Sequence, residues 1–399
     1  MRCFKVLILS LTAVAAAHAQ YLICTPTAAE PYIRSEGEAE PVSDIVLACT
    51  AGLGFAGASV FVDISLSFTI PVTSRTFNSA TPTSEALVLI DEPKPGVVNS
   101  SNGFSYNGQV LGTPGIAAGM PGSGNVYQAD PPAYNMLYWT SVPMVVPMSG
   151  TRYIRLTNMR VNATATLPSF PIYAFITLDA GALSNPQQAV GLSAAGLNFS
   201  AKLSTPGTGG AATATLSFTE GFAGAFRPRI LTAGTPFSLS RQDMPGVSYY
   251  TESQFTPCFS MSNCASAPTT SIGFADSGTL LQAHITGLGT EAASIRVPNQ
   301  VVASGHASSV IYLMVNGKPV TSQGFTALPV SKGIADAVYQ VAAADPRTIL
   351  TFPISVTLLD HSGLRFFRFP GTSIFNGYLG PINSTNTASP TAPEPRFVE

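Results

Sequence analysis

Residues 63–70 read Asp-Ile-Ser-Leu-Ser-Phe-Thr-Ile, polar and apolar in strict alternation. Successive side chains of an extended chain project to opposite faces, so Ile64, Leu66, Phe68 and Ile70 share one face and the hydroxyls share the other. This is the pattern of a strand with one buried face, and it recurs. Runs at 44–49, 60–70, 86–91, 153–167, 172–178, 213–218, 279–285, 310–315 and 349–359 are apolar or alternating, rich in β-branched residues and bounded by Gly, Pro, Asn or Ser. Within them, 158–166 repeats the clean alternation. Helical periodicity is nearly absent, and 334–344 fits a short helix or a strand. Many short strands separated by turn residues predict an all-β fold of two or three antiparallel β-sandwich (immunoglobulin-like) units with long Gly/Ala/Pro-rich loops.

The first nineteen residues read as a secretory leader. Arg2 and Lys5 form its positive start, residues 6–17 are apolar, and Ala17-His18-Ala19 supplies a small-residue cleavage site. The mature chain is expected to begin at Gln20. Ser204-Thr205-Pro206-Gly207-Thr208-Gly209-Gly210 has linker composition. The expected division is therefore a sandwich at 20–205, a second β domain at 206–298, a third at 299–380 and a fraying tail at 381–399. Residues 97–129 and 180–201 carry no charge and read as long connections. Residues 45–62 are also uncharged and long enough to span a bilayer. Gly52, Gly54 and Gly57 interrupt them, so two strands joined by a Gly-rich turn is the expectation, with no transmembrane span in the mature chain.

Cys3 leaves with the leader. Cys24, Cys49, Cys258 and Cys264 remain, an even set that in an oxidising compartment reads as two disulfides. Each pairs with its neighbour in sequence, Cys24–Cys49 and Cys258–Cys264, because more than 200 residues separate the two pairs. The spacings do not match the close pairs of a zinc site. No cofactor is expected.

Charge narrows the function classes. Only 10% of the 399 residues are charged, against 45% hydrophobic, and the formal net charge is −2. Scattered Lys and Arg exclude a nucleic-acid protein held by a basic face. Removing Arg2 and Lys5 leaves 17 basic residues against 21 acidic ones. The surface then carries about one charge per 370 Å², where an average chain of this size carries about one per 150 Å². Such a surface favours association, and the expected partners are a second copy, other surface proteins or glycans.

Cys24-Thr25-Pro26-Thr27, Ile33-Arg34-Ser35-Glu36-Gly37, Val42-Ser43-Asp44-Ile45-Val46-Leu47-Ala48-Cys49 and Ser84-Glu85-Ala86-Leu87-Val88-Leu89-Ile90-Asp91-Glu92-Pro93 resemble a group of secreted, β-rich bacterial proteins. Those proteins open with this Cys-to-Cys segment and have no assigned activity. Residues 155–163 and 219–226 look similar too. The resemblance implies bacterial export and supports the Cys24–Cys49 pairing, and it transfers no functional residue.

Chemistry-bearing constellations are few. Beyond the leader the histidines are His284, His306 and His361. The nearest approach to a nucleophile elbow is Gly191-Leu192-Ser193-Ala194-Ala195, which lacks the second Gly. Glu36, Glu38, Glu40 and Asp44 share parity and form a calcium candidate. Gly37 and Pro41 break that strand, which favours acids guarding a solvated edge. Glu85, Asp91 and Glu92 read as turn acids. Trp139, with Tyr138 and Tyr134 close by, is either a sugar-stacking platform or a core anchor. The leading expectation is an exported, noncatalytic structural or adhesion protein. A carbohydrate- or ligand-binding module comes second and an extracellular hydrolase third.

Overall fold

The computed structural model describes residues 20–74, 76–77, 83–84, 86–91, 98–99, 106–107, 112–204, 213–228, 278–363 and 369–379. The alternating runs become strands. In the first half these are β1 (Leu22–Ala28), β2 (Tyr32–Arg34), β3 (Ile45–Ala51), β4 (Ser59–Phe68), β5 (Leu87–Ile90), β6 (Val126–Gln128), β7 (Met136–Val145), β8 (Arg152–Thr157), β9 (Pro171–Leu178), β10 (Gly181–Leu183) and β11 (Gln187–Ala194). They build a six-stranded sheet, β6-β5-β8-β3-β1-β10, and a five-stranded sheet, β7-β4-β9-β11-β2. Leu22, Leu47 and Ile154 from one sheet meet Ile64, Leu66, Trp139 and Ile172 from the other in a single core. Pairing is antiparallel except at two sheet edges, where β10 runs parallel to β1 and β2 parallel to β11.

The second half repeats the architecture with β12 (Leu197–Ser204), β13 (Thr213–Glu220), β14 (Leu280–Thr286), β15 (Ala292–Pro298), β16 (Gln300–Ala303), β17 (His306–Val315), β18 (Phe325–Pro329), β19 (Ala335–Ala343), β20 (Thr351–Asp360) and β21 (Ile374–Leu379). One sheet runs β12-β13-β20-β15-β18 and the other β16-β17-β19-β14-β21, with Lys318–Pro319 paired to β17. Phe218, Ile295 and Phe352 pack against Leu281, Leu313 and Tyr339 between them. The fold class is all-β, as the alternation predicts.

Several expectations change. Ser204 pairs with Thr213 in the β12–β13 hairpin, so the expected linker at 204–210 connects two strands of one sheet instead of two domains. The boundary falls between Ala194, the end of β11, and Leu197. The division at Pro298 also disappears, because β15 ends there and β16 begins at Gln300 on the same core. The chain therefore forms two sandwiches, at 20–194 and 197–379. Residues 180–201, expected as a connection, hold β10, β11 and the first five residues of β12.

Residues 158–166 do not extend β8. Asn158 takes φ 57°, only Arg160–Val161 pairs, with Glu40–Pro41, and Ala163–Ala165 turns as a 3-10 helix. Asn162 caps that turn by accepting from the Thr164 N–H, a local bond that competes with the sheet ladder. Residues 334–344 resolve as strand. The uncharged run 45–62 forms β3, a Gly turn and the start of β4, and no helix among the described residues is long and apolar enough to cross a membrane. Of the 97–129 stretch, 112–125 is a succession of turns in which Gly115, Gly119 and Gly122 take positive φ, before β6.

Candidate functional site

Alternation along β1 and β3 aims Cys24 and Cys49 into the first core, and the antiparallel register sets them opposite each other. They form a disulfide between neighbouring strands of one sheet. Cys258 and Cys264 lie outside the described residues, as do Glu85, Glu92 and the tail at 381–399.

The acidic cluster separates. Glu40 is fully buried and its Oε1 accepts from Arg34 Nε at 2.8 Å. Asp44 is held by Arg155 and accepts from Thr157 Oγ1 at 2.7 Å. Burial drives its carboxyl above the ordinary range, against the opposing pull of Arg155 and Thr157. Glu36 accepts the Gly196 N–H, and Glu38 is a partly exposed acid whose pKa burial also raises. Glu36, Glu40 and Asp44 each meet a different partner, so the four acids do not converge on one point. Among the described residues no three of His, Cys, Asp or Glu gather at metal-ligand distance.

What Glu40 organises is a joint between the sandwiches. Arg34, at the end of β2, donates through Nη1 to the Ala225 carbonyl and to Thr279 Oγ1, both at 3.1 Å and both in the second sandwich. Tyr32 stacks near Phe222, ring centroids 5.5 Å apart, and Gly221 N–H donates to the Gly196 carbonyl at 2.9 Å. Glycine is required for this closeness. A Cβ on Gly196 would lie 2.6 Å from Arg34 Cγ, and one on Gly221 1.8 Å from the Ala195 carbonyl oxygen. Behind the joint, the buried Glu220 carboxylate accepts the N–H groups of Phe226 and Leu350 at 2.7 and 2.8 Å. It thereby fixes the 221–226 turn that presents Ala225. Burial lifts its pKa to about 7 despite those bonds and the nearby Arg227.

The aromatic candidates divide by strand parity. Trp139 points inward and is 1% exposed, a core anchor. Tyr138, its neighbour on β7, points outward, and Tyr134 in the preceding loop is 80% exposed. Across β4 and β9, Tyr138 aligns with Ser65 and Thr177, and Met136 with Ser67, Phe175 and Gln187. The outer face of the five-stranded sheet thus carries Tyr138, Met136 and an exposed Phe175 around a line of hydroxyls. Phe175 had no role in the sequence reading; the cross-strand register that places it beside Tyr138 is not visible in one strand.

His284 lies mid-strand on β14, as expected. Its Nδ1 is 2.7 Å from Asp336 Oδ1 on β19, and Gln282 Nε2 donates to the same oxygen at 3.0 Å. Ser193 is buried in β11, which rules out an exposed nucleophile at that position. His361 occupies a turn in which Asp360 Oδ1 accepts from Ser362. Asp91 accepts the Tyr153 N–H at 3.2 Å and lies 3.3 Å from Arg152.

No family model matches the chain, and no curated protein matches it. Among solved structures, the partial N-terminal region of an enterococcal surface protein aligns over 90% of this chain and 95% of that one, at 10% sequence identity and a TM-score of 0.18. At those values the fold is read from this chain alone.

Proposed function

We propose that this is an exported, noncatalytic structural or adhesion protein of the bacterial surface or extracellular space, built to hold two sandwiches in fixed relation while their outer faces meet partners. The observation that carries this reading is the Arg34 joint. A buried charge shared between two domains is costly to assemble and strongly destabilising to break, so the pair resists independent movement. The buried Cys24–Cys49 disulfide fits an oxidising compartment. Exposed apolar side chains on a surface this poor in charge favour contact over free diffusion.

Light scattering and negative-stain imaging of the chain from Gln20 test the reading. Concentration-dependent association of uniformly elongated particles supports it, and discrete monomers at every concentration overturn self-association. A glycan-binding reading is favoured by one observation, the Tyr138–Phe175 face lined by Ser65, Ser67 and Thr177. A glycan array run with Tyr138→Ala and Phe175→Ala decides it. Binding lost in both variants supports that reading; no binding, or unchanged binding, removes it.

A further inference from the structure

Hydrogen bonding in the first sandwich starts at Tyr21. The N–H groups of Tyr21 and Leu22 both donate to the Ala180 carbonyl, at 3.0 and 3.2 Å. The Tyr21 carbonyl accepts the Gly52 N–H at 2.8 Å, and its ring lies 4.4 Å, centroid to centroid, from that of Phe55. Leu22, the first residue of β1, is fully buried. Gln20 stands one residue outside these bonds. Its carbonyl oxygen packs against the β3–β4 turn, where a Cβ on Gly52 would lie 1.8 Å from it. The residue is otherwise exposed, and its side-chain amide bonds to no described residue. The fold therefore holds the carbonyl end of Gln20 and leaves its amide in water.

We infer that Gln20 is a modification site: once the leader is cut after Ala19, the freed α-amine closes on the side-chain amide and the mature chain begins with pyroglutamate. The inference rests on the export reading, which supplies the cut. The amine nitrogen attacks Cδ, the N–Cδ bond forms and the Cδ–Nε2 bond breaks. Nε2 leaves as ammonia, carrying a proton from the amine, so no oxidant, reductant or cofactor is required. Nitrogen, Cα, Cβ, Cγ and Cδ make a five-membered ring, which an Asn, one carbon shorter, cannot form. Only the neutral amine attacks, and an α-amine that titrates at about 7.7–8.0 is roughly one-tenth neutral at pH 7. The ring is built from exposed atoms, while the Gln20 carbonyl stays against Gly52 and the bonds of Tyr21 and Leu22 are untouched. The closed end carries no charge and offers no amine to an aminopeptidase. It thereby protects the start of β1, two residues before Cys24 enters its disulfide with Cys49.

The test is mass spectrometry of the N-terminal peptide of the full chain, expressed in a bacterium and recovered outside the cytoplasm. The expected peptide begins at residue 20 and is lighter than its encoded sequence by one ammonia. It resists Edman degradation until pyroglutamyl aminopeptidase exposes Tyr21. Gln20→Ala should begin at the same residue with a free amine and melt at the parent's temperature, because the side chain it lacks is exposed. A second measurement needs no export: the chain is released in vitro from a carrier by a protease that cuts before Gln20. Warm incubation at neutral pH should convert it to a species one positive charge poorer on ion exchange, and Gln20→Ala should not change. A free amine that persists on Gln20 in both preparations overturns the inference and leaves export standing. Exported chain that begins at any other residue also overturns it, since Gln20 then has no such amine. Chain retained inside the cell with residues 1–19 attached fails the export reading instead, and the carrier-released chain then decides whether Gln20 closes.

Discussion

Arg34 and Glu40 are six residues apart and both have fully buried side chains. Removing one partner leaves the other charged and buried. Arg34→Met is expected to destabilise by about 3–5 kcal/mol, whereas Arg34→Met combined with Glu40→Leu recovers most of the loss. Urea denaturation of the two single variants and the double variant checks this through the coupling energy. Glu220 gives a second prediction, in pH. Its folded pKa of about 7 lies above the ordinary 4.5, so the native state holds a proton that the unfolded state has released. The associated stability is complete below pH 4.5 and is lost as pH rises through 7, by about 3 kcal/mol at most. Buried Asp44 titrates in the same direction, so the test is the difference between wild type and Glu220→Gln. Gln lowers stability throughout by turning a donor toward Phe226 or Leu350, but its profile across that window must be flatter. A Gln variant with the wild-type slope refutes the assignment. Neither role was legible in the sequence. Parity gathered Glu36, Glu38, Glu40 and Asp44 on one face, while their partners Gly196, Arg34 and Arg155 come from places that only the folded chain brings together.

At the scale of elements, the strands that read clearly were those with one buried face. Residues 63–70 gave β4 because its neighbours cover one side only, and the same holds for β13 and β20. Alternation misled at 158–166, where Asn158 and Asn162 supplied local hydrogen bonds and a positive φ that end the ladder. Absence of charge misled at 180–201: β10 and β12 are edge strands and β11 lies between β9 and β2, so an uncharged run is no sign of a loop. The cysteines gave the Cys24–Cys49 pairing without β1, a strand that no run in the sequence had marked and whose antiparallel register with β3 sets the two opposite each other. That disulfide closes a loop of 25 residues, so its loss should cost roughly 3 kcal/mol through the unfolded state. Thermal melting of Cys24→Ala/Cys49→Ala against wild type measures the cost. The loss should appear in the first sandwich, read from Trp139 fluorescence, because Trp139 lies in that core. An unchanged Trp139 transition contradicts it.

For the whole molecule, the sequence conveyed the all-β class but not the division into units: three β domains were expected and two cores are found. A Gly/Pro-rich segment can join two strands of one sheet as well as two domains, and here Ser204 and Thr213, which bound it, are paired. The true junction at 194–197 carries only Ala195 and Gly196 between strands, too short to announce itself by composition. Its brevity has a consequence. With two residues between β11 and β12, the linker passes directly against the second sandwich, and Gly221, one step beyond the Leu197–Glu220 pair, is where it does. A methyl at that position meets the Ala195 carbonyl oxygen at 1.8 Å, a backbone atom that no rotamer change moves aside. Gly221→Ala must therefore part the joint, weakening the Arg34 bonds to Ala225 and Thr279 while leaving both cores packed. Small-angle scattering should report a larger radius of gyration and a broader distance distribution for this variant. Gly371→Ala is the control, since a Cβ there meets nothing within 4 Å, and it should scatter as wild type. If the Gly221→Ala curve superimposes on that of the parent, the sandwiches are not held by this joint, and the rigid arrangement on which an adhesive or structural role depends loses its physical basis.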